Sequence, residues 1–249
     1  MFLKNSLNII YGSISLLPLA IITGPFISDL IVTLIAIFFI TTNYLNFLEY
    51  VKKNSLIKLL LFFCFINIVN SLFAEELINS LKSSFFYLRF PLFIVAICFF
   101  LRNNEHHCLY IYYGLLFSIF LVSADAIIQF FSGENIVGYI SQSRNRISGF
   151  FNEEYILGSY LSRLTPILIS LYFFLNQRNK LNLSLFLITC LISFVAILFS
   201  GERTSIFFII LFYTIFLFFI FNFSFQKKIL IVLTLFVVTF VTIISSDSL

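Results

Sequence analysis

The segment Ser200-Gly201-Glu202-Arg203-Thr204 sets a carboxylate beside a guanidinium between two apolar runs, Leu181 to Phe199 and Ser205 to Phe221. Such a pair at the mouth of a membrane helix is costly unless water, a partner or a ligand meets it. A second charged stretch, Arg144 to Glu154, carries Arg144, Arg146, Glu153 and Glu154. Arginine grips phosphate well, because its planar fork donates two parallel hydrogen bonds and stays charged. A carboxylate nearby can orient or deprotonate an attacking hydroxyl. Together the two stretches point to a site for an anionic, lipid-linked substrate.

The apolar segments around these charges carry polar stripes. At the angular step of a helix, Asn152, Tyr155, Ser159, Ser162 and Arg163 fall on one face about 100° wide. Arg163 lies two to three turns into its segment, so it should face a bundle interior or a wet cavity. Pro166 follows on the same side and is expected to kink the helix. In the preceding segment Ser118, Asp125, Gln129 and Ser132 share a narrow arc. Asp125 suits holding an arginine such as Arg163, or moving a proton. Glu153 and Glu154 read as first-turn acids of the next helix, where they complement the helix dipole. Arg89, just before Pro91, either snorkels to the interface or joins the phosphate-binding set.

Other chemistries find little footing. His106 and His107 sit in a short loop on the far side from the arginines. Cys64, Cys98, Cys108 and Cys190 have no metal-ligand spacing and read as small apolar packing residues. There is no phosphate-cradling glycine loop and no nucleophile elbow. No metal, cofactor or nucleic-acid partner is expected.

The elements that must position these residues follow from composition. The 249-residue chain is 61% hydrophobic and 10% charged, with a mean hydropathy of +1.07, which excludes an ordinary soluble domain. Apolar runs of roughly 17–25 residues match the length that crosses a bilayer as a helix. Nine are expected, at about 7–23, 26–45, 56–73, 84–101, 109–131, 153–175, 182–199, 204–221 and 229–245. Spanning segments must be helices, since an open sheet cannot satisfy its backbone in lipid. The expected fold is therefore all-α, a polytopic transmembrane bundle forming one domain over residues 1–249, with a loop at about 132–152.

Basic residues set the orientation. With the N-terminus in the cytoplasm, the inner face holds Lys4, Lys52, Lys53, Lys58, Arg102, Arg178, Lys180, Lys227 and Lys228. Lys82, Arg89, Arg144, Arg146, Arg163 and Arg203 lie outside or near the outer ends of spans. Nearly all lysines are thus inside, while most arginines are outside. Inner lysines read as topology signals; outer arginines oppose that preference and need another reason. Nine spans put the C-terminus on the outer face, opposite the N-terminus.

Three stretches in this order resemble the O-antigen ligase and O-antigen polymerase superfamily of bacterial envelope proteins: Asp125 to Gly133, Arg146 to Pro166, and Ser200 to Thr204. The resemblance covers about residues 80–225. It implies a glycosyltransferase of lipopolysaccharide or other envelope polysaccharide biosynthesis. The donor would be an undecaprenyl-diphosphate-linked glycan, and the acceptor a sugar hydroxyl on another glycan or on lipid A core. Arg146, Arg163 and Arg203, with Arg89 in support, would bind the diphosphate. Glu154 or Glu202 would orient the acceptor. Asp125 and Gln129 would support the substrate site, and membrane lipids would surround it. Family members usually continue into a further large periplasmic loop, so the resemblance also implies a truncated or split form. A transporter or flippase for a lipid-linked or anionic solute is the alternative. It would spread charges along a path through the bilayer, whereas spans two, three and seven carry none mid-membrane. A non-catalytic fragment is the third reading.

Overall fold

Apolar run length and helix breakers together set the elements. A computed structural model of the chain describes residues 2–103, 107–140, 146–152, 154–176 and 181–220. The expected ninth span at 229–245, with Arg144 and Glu153, lies outside the described residues. Nine α-helices are described: α1 Phe2–Ile22, α2 Pro25–Lys53, α3 Ser55–Ser71, α4 Leu77–Tyr87, α5 Arg89–Asn103, α6 Cys108–Ser132, α7 Leu157–Asn176, α8 Leu183–Phe199 and α9 Arg203–Ile220. The described residues contain no β-strand, only an isolated antiparallel bridge between Glu134 and Ile140. Three helical stretches are long and apolar enough to cross a bilayer: Pro25–Lys53, Leu77–Leu101 and Cys108–Ser132. Ile9–Ile22, Ser55–Ser71, Leu183–Phe199 and Arg203–Phe216 are apolar but shorter. Among the described residues, length and composition thus mark an all-helical membrane protein with three clear spanning stretches, where the sequence led to the expectation of nine over the whole chain.

Breakers explain two departures from the expected segments. The fourth segment is divided at Leu88 into α4 and α5. Pro91 lacks an N–H, and its ring clashes with the carbonyl four residues earlier, that of Tyr87, so α4 stops there. Leu88 N closes the end of α4 on Phe85 O at 3.1 Å. The second helix runs on to Lys53 but is kinked at Asn43, whose φ of −136° is not helical. Thr42 Oγ1 donates to Phe38 O at 2.7 Å just before that kink, a back-bond that commonly bends helices.

The sequence reads as one domain, whereas the structure divides into two compact units, Met1–Ile111 and Tyr112–Leu249. In the first unit α2 packs along α5 and α1 packs against α2. Its core holds Ile10, Tyr11, Ile14, Ile35, Phe39, Val95, Ala96 and Phe100. Tyr11 Oη donates to Phe100 O at 2.9 Å, satisfying the one polar atom of that ring inside the cluster. Helices α2 and α5 run parallel: Asp29 pairs with Arg89 at their starts, and Phe39 meets Phe99 ten residues along each.

In the second unit successive helices alternate in direction. Phe130 near the end of α6 stacks on Phe199 at the end of α8, with ring centroids 3.8 Å apart. Tyr172 near the end of α7 stacks on Phe186 at the start of α8, at 3.9 Å. It also neighbours Tyr112 near the start of α6, at 6.3 Å. The end of α6, the start of α7, the end of α8 and the start of α9 therefore share one end of this unit. Midway along α7, Thr165 Oγ1 donates to Ser193 Oγ of α8 at 3.5 Å.

Candidate functional site

The loop after α6 is built around three buried polar side chains. Asp125, Gln129 and Asn135 are each at most 4% exposed. Burial of such groups is tolerated only when their hydrogen bonds are made. Asp125 Oδ1 accepts from Ile136 N at 2.9 Å, and Asp125 Oδ2 accepts from Asn135 Nδ2 at 3.3 Å. Asn135 Nδ2 also donates to Gly149 O at 3.1 Å. Asn135 Oδ1 accepts from Val137 N and Tyr139 N, at 3.1 and 2.7 Å. Gln129 Oε1 accepts from Ser148 N and Gly149 N at 3.0 and 2.8 Å, and its amide donates to Tyr139 O at 3.2 Å. The two α6 side chains thus fold the segments 135–139 and 148–149 of the loop onto the helix end.

Gly149 is required at the centre of this arrangement. Its φ of +57° is left-handed, and a Cβ there would lie 3.3 Å from Asp125 Oδ2. An L-residue would meet both the conformational cost and the crowding. The Gly149–Phe151 turn follows, and only then does α7 begin.

The start of α7 differs from the sequence expectation. Glu154 precedes the first helical residue, Leu157, by three positions and is exposed. The place expected for a first-turn acid is filled from another helix. Glu202, only 7% exposed, reaches from the start of α9. Its Oε1 accepts from Gly158 N at 2.7 Å. Its Oε2 accepts from Ser159 N at 2.9 Å, Ser159 Oγ at 2.7 Å and Ser205 Oγ at 2.8 Å. The first N–H groups of a helix have no intrahelical partner and sit at the positive end of its dipole. A carboxylate from α9 satisfies both needs at once and ties the two helix starts together. Gly158 allows the close approach: a Cβ there would lie 2.5 Å from Ser200 Oγ and 3.1 Å from the Glu202 carboxyl carbon.

The sequence-predicted residues therefore separate into kinds. Arg146, Glu154 and Arg203 are exposed at the shared end of the second unit. The Arg146 guanidinium lies 4.8 Å over the Tyr155 ring, a cation–π contact that orients it. Arg203 opens α9 directly after Glu202. Arg163 is exposed on α7 one turn beyond Ser159, and helical side chains slant toward the N-terminus, that is, toward this end. Asp125, Gln129 and Glu202 are instead interior anchors with their hydrogen bonds taken by the protein. Asp125 holds the loop rather than an arginine; no ion pair joins it to Arg163 among the described residues. Arg89 belongs to the first unit. It pairs with Asp29 at 2.7 Å and lies 4.9 Å over the Phe90 ring.

Ser159, on the polar face read from the sequence, and Gly149 and Gly158, within the Arg146 to Pro166 stretch, complete the framework together with Asn135 and Ser205, which the sequence left unmarked. The glycines carried a usable signal, since each sits beside a polar cluster. Asn135 and Ser205 did not, because their partners are set only by folding. No protein-family model matches this sequence, and neither a curated protein nor a solved structure shows significant similarity to it.

Proposed function

We propose that this chain is a periplasm-facing glycosyltransferase of the O-antigen ligase or polymerase type, embedded in a bacterial inner membrane by about nine spans with its N-terminus in the cytoplasm. It moves a glycan from an undecaprenyl-diphosphate carrier to a sugar hydroxyl on another glycan or on lipid A core. One observation carries the reading. Arg146, Arg203 and Glu154 are exposed at the same end of the second unit, on a loop and helix starts fixed by buried polar anchors. Fixed cations are what a leaving diphosphate requires, since preorganised charge needs no rearrangement as the reaction proceeds.

In this mechanism the acceptor hydroxyl oxygen attacks the anomeric carbon. The bond from that carbon to the diphosphate oxygen breaks, and its electron pair leaves with the lipid diphosphate. Arg146, Arg163 and Arg203 stabilise the charge on that leaving group. Glu154 orients the hydroxyl and takes up its proton. Glu202, Asp125 and Gln129 act as positioning residues. They hold the helix starts and the loop that carry the arginines and Glu154.

The test is Arg203→Ala and Glu154→Gln in cells whose envelope glycan is resolved on a gel. Loss of ligated or polymerised glycan, with unchanged amounts of protein in the membrane, is expected. An unaltered glycan pattern in both variants refutes the assignment. Cysteines placed at positions 146 and 203 should also react with the same impermeant reagent from the periplasm. Reaction from opposite sides of the membrane removes the shared site.

A further inference from the structure

The first unit carries a second polar feature that the proposed transfer reaction does not use. Helices α3 and α4 form a hairpin, joined by a hydrogen bond from Ser84 Oγ to Asn67 O at 3.2 Å. Beside that bond the helices part around a groove of about 510 Å³. The volume falls inside the range of roughly 300–1,000 Å³ typical of small-molecule sites.

The lining is unusual for a chain of this composition. From α3 it takes Asn67, Asn70 and Ser71, spaced three and four residues apart. From α4 it takes Ser80, Ser83 and Tyr87 at the same kind of spacing, so each helix turns one uncharged polar face to the groove. No charged residue lines it. Asn79 Nδ2 donates to Glu76 Oε2 at 2.7 Å. Lys82 lies with Ile78 and Phe86 along a different, apolar groove of α4. The side-chain amides of Asn67 and Asn70 make no hydrogen bond to any described residue, which leaves two amide groups able both to donate and to accept.

Amides and hydroxyls that donate and accept at close spacing match the vicinal hydroxyls of a sugar, each of which also does both. An aromatic ring at the rim matches the apolar C–H face of the same sugar. Tyr87 supplies one, steadied edge-on by Phe90 at 5.4 Å. The absence of lining charge argues against a phosphate or carboxylate as the contacted group, since either would go unpaired. We infer that the α3–α4 groove binds the hydroxyl-bearing face of a neutral carbohydrate. This site stands on residues of the first unit alone and does not depend on the transfer reaction proposed above.

The experiment uses the full chain in lipid nanodiscs, probed against an array of neutral and acidic bacterial oligosaccharides. Retention of neutral glycans is expected. The double variant Asn67→Ala/Asn70→Ala should weaken it about tenfold, the effect of losing two neutral hydrogen bonds. Alanine is the stronger helix former, so α3 should keep its helix, and an unchanged circular dichroism spectrum checks this. Tyr87→Ala should weaken retention independently. Retention of acidic glycans alone, of no glycan, or of neutral glycans unaffected by these substitutions overturns the assignment. So does efficient chain-to-chain crosslinking of Ser83→Cys in membranes after removal of the native cysteines, because a second copy would then fill the groove.

Discussion

Glutamine at position 202 isolates the tie between α7 and α9. The side chain keeps its shape but exchanges one oxygen for a donor. The oxygen facing Ser159 N also meets two hydroxyls, which can rotate and accept. The amide NH2 therefore settles there, donating to those hydroxyls, and faces Ser159 N donor to donor at the 2.9 Å now spanned by a hydrogen bond. One buried N–H left unpaired costs about 1–3 kcal/mol. Removal of negative charge from the helix start costs a further 0.3–1 kcal/mol or so. The expected loss for Glu202→Gln is thus about 2–4 kcal/mol. Glu202→Ala, which abandons all four bonds and leaves a void, should lose more, on the order of 4–5 kcal/mol. Denaturation of the full chain in mixed micelles, followed by loss of helical circular dichroism, measures both. If Glu202→Gln unfolds within about 0.5 kcal/mol of the parent, the usual range for a surface change, the carboxylate is not holding the two helices and the reasoning fails.

Gly158→Ala should destabilise by about 1–3 kcal/mol, because the new methyl group meets Ser200 Oγ at 2.5 Å within a packed contact; the same denaturation series reads it. Gln129→Ala leaves Ser148 N and Gly149 N without their acceptor. It should speed protease cleavage in the loop after α6 while the helices stay intact; unchanged cleavage would show that the loop is held by other means. Asp29→Asn breaks the Arg89 pair, whose side chains are 20% and 40% exposed. Solvent screening limits the expected loss to at most about 1 kcal/mol, and a larger drop in the denaturation midpoint would mean that the pair is more buried in the membrane than its surface suggests.

Much of the helical layout was legible because an apolar run has few alternatives to a helix in lipid. Helices α3, α6, α8 and α9 fall where the runs lie. The divided fourth segment was legible in part: Pro91 marks it, but the clash acts four residues upstream, at Tyr87. The start of α7 was not legible. Glu153 and Glu154 read as its first-turn acids, yet the helix starts later and draws its carboxylate from Glu202, more than forty residues on. For Asp125 and Gln129 the sequence marked a polar stripe on α6 and suggested arginine or substrate as the partner. The structure turns that stripe to Asn135, Ile136 and Gly149. A helical period shows which side chains share a face but not what that face meets.

Composition and run length were enough to determine an all-helical membrane chain, because the cost of exposing backbone to lipid depends on local sequence alone. Which charges are spent inside the protein was decided only by tertiary contact. Glu202 and Asp125 accept from backbone N–H groups that the fold brings to them inside the protein, whereas Arg146, Glu154 and Arg203 are exposed. That division depends on neighbours distant in sequence, and no local pattern encodes it.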